Sequence, residues 1–111
     1  MSDPVAIRRG DVVIAMVAEP GGKAIRKRRP HLVISPDVLN EIQHTYLIVP
    51  LTTGNHPYRF RIPCQFAGRA GHVVLDQIFT LDAASSSPVV GKLSPLNMKQ
   101  VLSSLREMFA E

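Results

Sequence analysis

The chain has one cysteine, Cys64, among 111 residues. A lone thiol excludes an internal disulfide and a cysteine-built zinc site. No apolar run approaches the ~20 residues that span a bilayer. The N-terminal stretch MSDPVAIRRGDVVIAM puts its arginines before only a short alternating run, which is not the pattern of a signal peptide. A cytoplasmic location is expected, with no membrane partner. There is no repeat and no low-complexity segment; SSSP at 85–88 is a short loop. HExxH, GxGxxG, P-loop and serine-elbow motifs are all absent. The histidines, His31, His44, His56 and His72, are scattered, with no pair at helical metal-site spacing. Neither a metal nor another cofactor is expected. Acid is in short supply too: Lys and Arg number 13 against 9 Asp and Glu, a formal net charge of +4. That balance speaks to partners and solubility rather than to fold.

What is present is enough for a core. The hydrophobic fraction is 45% and the charged fraction 20%, so this is not a disordered tail. The length fits one domain over 1–111. A domain of this size buries roughly two-thirds of its unfolded surface, and dimerisation is a natural way to bury more.

Short β-rich runs dominate the pattern. DVVIAMVA follows Arg9-Gly10-Asp11. EPGGKAIRKRRP reads as a loop, and HLVIS as a strand. Ser35-Pro36-Asp37 reads as an N-cap with proline at the first helical position, leading into VLNEI. TYLIVPLT at 45–52 is a strand whose Pro50 suggests an edge or a bulge. TGNHP is a turn. YRFRIP alternates, with Tyr58, Phe60 and Ile62 on one side and Arg59 and Arg61 on the other. HVVLDQIFTLD is strand-like but interrupted by Asp76 and Gln77, and Val89 to Leu93 is a last strand. Ser94-Pro95 opens the one clear helix, whose stripe is Met98, Val101, Leu102, Leu105, Met108 and Phe109. Many short strands with one terminal helix predict a mainly β fold, a small and strongly bent barrel.

The chemistry must come from cations, hydroxyls and a carboxylate. Lys23, Arg26, Lys27, Arg28 and Arg29 crowd into one short stretch before Pro30. Arginine binds phosphate oxygens through a two-pronged fork. A charge run is often only a solvated face, but this one abuts a strand that positions Arg29, and Arg59 and Arg61 extend it. Thr52 and Thr53 end a strand, where their hydroxyls either cap a turn or meet a phosphate. Asp76 interrupts an apolar run and requires a partner there: an arginine, a loop, or a ribose hydroxyl. RNA carries its own nucleophile, the 2′-OH. Cutting it takes in-line geometry, proton transfer and positive charge around the phosphorane.

In this order and spacing, the residues resemble the MazF/PemK family of toxin endoribonucleases over nearly the whole chain. The matching segments are Arg9-Gly10-Asp11, Arg29-Pro30 with LVIS, Ser35-Pro36-Asp37 with Asn40, and Val49-Pro50-Leu51-Thr52-Thr53. Tyr58 to Ile62, Asp76-Gln77 with Thr80-Leu81-Asp82, and Gly91-Lys92-Leu93-Ser94 complete the series. The resemblance implies a CcdB/MazF-type, SH3-like small barrel with a C-terminal helix, commonly a homodimer. It implies metal-independent, sequence-specific cutting of single-stranded mRNA to a 2′,3′-cyclic phosphate and a 5′-OH. It also implies a type II antitoxin with an acidic C-terminal tail, through which alone the complex would meet DNA. By position it carries Arg29, Thr52 and Asp76 over as catalytic residues. The set expected to bind RNA is Lys23, Arg26, Lys27, Arg28, Thr53, His56, Arg59, Arg61 and Gln77.

The chain departs from the family at two places. Gly22-Lys23-Ala24-Ile25 lacks the acidic or histidine residue that other members place before Arg-Pro, and Val74 stands where some place an arginine. The general base is therefore open, with His56 and His31 as candidates by chemistry. Two other readings stay open as well: a CcdB-like toxin that poisons DNA gyrase without cutting, and an inactive regulatory partner.

Overall fold

The computed structural model describes residues 7–17, 28–53, 60–83 and 87–111. In chain order it runs β1 (Asp11–Met16), β2 (Arg28–Val33), α1 (Asp37–Gln43), β3 (Thr45–Thr52), β4 (Arg61–Phe66), β5 (Arg69–Val74), β6 (Phe79–Asp82), β7 (Val89–Lys92) and α2 (Pro95–Met108). Among the described residues the strands form one sheet of order β4-β5-β3-β2-β1-β7, with β6 beside β3. Its pairings are antiparallel throughout.

The central strands are buried on both faces. Val12, Leu32, Val49 and Val73 pack on one side with Val101 of α2, while Val13, Val33, Ile48 and Leu81 pack on the other. That is why DVVIAM and HLV read as continuous apolar runs rather than as clean alternation. The sheet also curls. Phe66, ending β4, meets Gly91 in β7, where a Cβ would lie 2.5 Å from the ring. β4 and β7 are opposite ends of the strand order, so the curl brings the two edges together. The result is the mainly β, barrel-like fold with a C-terminal helix that the pattern predicts.

Capping fixes where α2 begins. Ser94 Oγ accepts the Asn97 amide at 3.1 Å, and Pro95 occupies the first turn. Met98, Val101, Leu105 and Met108 lie against the core. Phe109 does not: it is the C-cap residue and is 70% exposed, so the buried stripe ends one residue earlier than its spacing suggests.

Four local expectations change. β2 begins at Arg28, so the end of the expected loop is strand; residues 18–27 lie outside the described set. β3 is no edge strand, because it pairs with β2, β5 and β6 in turn. Ser35 does not cap α1, whose N-cap is Pro36. Its hydroxyl instead donates to Asn40 Oδ1 and accepts the Leu47 amide, tying α1 to β3. Finally, β4 and β5 form a hairpin through Ala67 and Gly68, whose φ values of 53° and 76° suit a type I′ turn.

Candidate active site

The site opens where the β2–β3 ladder ends. The β2–β3 ladder runs Val33↔Ile48, Leu32↔Val49, His31↔Pro50 and ends there. Pro30, on the side of β2 that faces β3, has no N–H to continue it. Beyond that rung β2 is held by β1, through Ile14↔Pro30 and Ala15↔Arg29. β3 passes to β5, through Leu51↔Val73 and Thr52↔His72. The same register continued two residues past His31↔Pro50 sets Arg29 opposite Thr52.

A cleft of about 600 Å³ occupies this opening. Arg29, Thr52 and Thr53 line it over an apolar floor of Ile14, Leu51 and Phe66. None of its described lining residues is acidic, and a second arginine, Arg69, enters from the β4–β5 hairpin. Gly71 lets β5 approach: a Cβ there would lie 2.3 Å from the Thr52 carbonyl oxygen. An open, cationic cleft with hydroxyls at its rim suits a phosphodiester.

His31 anchors the arginine from behind. It is 1% exposed, and its Nδ1–H donates to the Arg29 carbonyl at 2.8 Å. Its ring meets Phe79 edge-on, with centroids 6.2 Å apart. Burial pushes its pKa down, an effect to which the Arg29 charge adds and which the carbonyl hydrogen bond opposes. A group so enclosed cannot reach a bound ribose, which removes His31 from the candidates for general base.

The other expected residues divide between the sites described and those outside. Arg28 is exposed on β2 beside Arg29, opposite Met16. Arg61 lies opposite Val74, with its Nε 3.8 Å from Asp76 Oδ1. Asp76 is exposed despite its apolar run, so it does not depend on that arginine for burial. Gln77 closes the turn after β5, its amide donating to the Val74 carbonyl at 3.4 Å. Arg61, Asp76 and Gln77 are not among the described residues lining the Arg29–Thr52 cleft. Lys23, Arg26, Lys27, His56 and Arg59 lie outside the described residues.

Residues 8–109 match the family model of the PemK-like, MazF-like toxin of type II toxin-antitoxin systems. The chain belongs to this family. No curated protein matches it. Solved structures of the PemK/MazF kind share its fold. A MazF from Deinococcus radiodurans is 21% identical over 95% of this chain and 97% of that one, with a TM-score of 0.78. An endoribonuclease in complex with its cognate antitoxin, from a mycobacterial species, is 22% identical over 92% and 93%, with a TM-score of 0.75. The Mycobacterium tuberculosis toxin MazF-mt6 is 17% identical over 89% and 95%, with a TM-score of 0.71.

Two polar residues of this PemK/MazF chain escape sequence reasoning. Arg69 enters the cleft because Ala67-Gly68 turns the chain, and Ala-Gly is a weaker hairpin signal than Asn-Gly or Asp-Gly. His72 stands directly opposite Thr52 because β5 pairs with the end of β3. Nothing local announces that long-range register. Among the described residues, no helix is long and apolar enough to cross a membrane, and no three His, Cys, Asp or Glu gather as a metal site would require.

Proposed function

We propose that this chain is a cytoplasmic endoribonuclease toxin, one domain over residues 1–111, that cuts single-stranded mRNA without a metal ion. The observation that carries the reading is the opened ladder, with Arg29 and Thr52 in one cleft that has no acidic residue among its described lining. In the proposed reaction the 2′-oxygen attacks the neighbouring phosphorus in line with the departing 5′-oxygen. The products are a 2′,3′-cyclic phosphate and a 5′-OH. The Arg29 guanidinium stabilises the negative charge of the phosphorane, and the Thr52 hydroxyl donates to a non-bridging oxygen. Arg28 and Arg69 supply phosphate contacts on either side, joined by Lys23, Arg26, Lys27 and Arg59. Asp76 acts from a distance here, by holding Arg61.

The regulatory partner is an antitoxin, which the neighbour solved with its cognate antitoxin supports; its acidic tail orders over the same cations. The working unit is a homodimer. Gyrase poisoning draws no support from α2, which commits Met98, Val101, Leu105 and Met108 to the core.

The test is a long single-stranded RNA incubated with purified protein in EDTA, with the 5′ ends of the fragments sequenced. Discrete fragments ending in cyclic phosphate are expected. Intact RNA, or cutting that appears only with a divalent ion, overturns the reading, and trapped gyrase–DNA complexes without RNA cuts would replace it.

A further inference from the structure

We infer that His72 is the proton acceptor for the attacking 2′-hydroxyl, an inference that rests on the RNA-cutting reading and fills the role that reading leaves open. The strand register makes the case. Thr52 and His72 are directly opposed on β3 and β5. Opposed residues of an antiparallel pair face the same side, with Cβ atoms about 4.5–5.5 Å apart. On the other flank of Thr52, the continued β2–β3 register brings Arg29. Arg29 and Thr52 thus line one cleft, and His72 stands beside Thr52 on the next strand.

Access and enclosure agree with this placement. His72 is partly exposed and lines, not the Arg29–Thr52 cleft itself, but a second one of about 700 Å³. That cleft shares Thr53, Cys64, Ala70 and Gly71 with the first, so the two are contiguous along β5. Gly71 sets the spacing, because a Cβ at that position would collide with the Thr52 carbonyl. The other described candidates are poorly placed. His31 is buried in the core, His44 caps α1, and Asp76 lies four residues along from His72, beside Arg61.

The charged groups around His72 come from each neighbouring strand. Arg29 stands across Thr52 on β2. Arg61 shares a face of β4 with Pro63, the residue opposite His72. Asp76 accompanies Arg61, and Arg69 begins β5 itself. From α2, uncharged Ser94 and Asn97 line the cleft. The His72 ring accepts the 2′-OH proton as the 2′-O–P bond forms and the P–5′-O bond breaks. The departing 5′-oxygen takes a proton from water, and the imidazolium returns its own to the resulting hydroxide.

The experiment measures kcat/KM on a long single-stranded RNA from pH 5 to 9, for wild type, His72→Gln and His72→Ala. Wild type should gain rate between pH 5 and 8, the interval in which imidazole loses its charge. His72→Gln should lose about 100-fold or more at pH 8 with KM little changed, and its rise with pH should vanish. Added imidazole should restore part of the His72→Ala rate, which a purely structural histidine would not allow. A His72→Gln rate within about threefold of wild type, with the same pH limb, overturns the inference and leaves the nuclease reading standing. If circular dichroism finds both variants unfolded, a wild-type profile flat from pH 5 to 8 overturns it instead. If wild type cuts no RNA at all, the parent reading fails and this one fails with it.

Discussion

The two ends of the β2–β3 ladder differ more than any other pair of regions in this molecule. At the closed end Val33 faces Ile48, and neither has exposed surface. At the open end, past His31↔Pro50, the same two strands part around Arg29 and Thr52. Backbone chemistry accounts for the change. At the closed end every N–H can join the ladder and apolar side chains cover both faces. At the open end Pro30 withholds its donor from β3, and each strand turns to a different neighbour. The site lies where the sheet withholds its own pairing, on strands that a rigid core still holds. A cleft framed this way is pre-formed, which is what electrostatic stabilisation of a transition state requires.

The largest effect expected from breaking this comparison is on the closed end. Ile48→Ala deletes a fully buried side chain and should cost about 2–5 kcal/mol of unfolding free energy. Urea denaturation measures it. Below the shifted transition, the cutting rate per folded molecule should stay within about threefold of wild type, because the lost packing lies on the other side of Pro30. A rate that collapsed in fully folded protein would mean that the two ends are coupled.

Arg29→Ala is the converse. The residue is exposed, so the urea midpoint should barely move while RNA cutting falls about 100-fold or more. A midpoint that fell as far as that of Ile48→Ala would make Arg29 part of the framework.

The closed end was legible in the sequence, and the open end only in part. TYLIVPLT coincides with β3 because β-branched and apolar residues fill a strand buried on both sides. Ser94-Pro95 announced α2 because capping is local chemistry. The start of β2 was hidden, since Arg28 and Arg29 look like loop until β1 pairs with them. Pro50 signalled a discontinuity, but an edge was the wrong kind: β3 changes partners there. Asp76 read as a carboxylate needing a partner, but it turns out exposed, with Arg61 only 3.8 Å away. Arg69 and His72 were invisible because their importance depends on which strand lies beside which.

A smaller effect sharpens the electrostatic side of the contrast. Arg28 and Arg69 flank the open end on different strands. Each contact with a single-strand phosphate adds about 0.7 to the slope of log affinity against log salt. Changing both residues to Gln should flatten that slope by about 1.4 in fluorescence-anisotropy titrations of single-stranded RNA. An unchanged slope would put the RNA on another surface.

The smallest effect lies on the boundary rung itself. His31 is paired with Pro50, buried against Phe79, and bound through Nδ1–H to the Arg29 carbonyl. Burial lowers its pKa below the ordinary 6.5. The unfolded chain therefore takes up a proton here at a pH where the folded chain still resists it. More protons on the unfolded state means that stability rises with pH across this interval. The contribution is complete above about pH 6.5 and is lost as pH falls below it. One proton limits the slope to about 1.4 kcal/mol per pH unit. Urea denaturation at pH 7 and pH 5.5 should find wild type losing more stability on acidification than His31→Gln, even if the variant starts lower. If wild type and variant lose stability in parallel, other groups carry the acid dependence, and the boundary between the closed and open ends is set by Pro30 alone.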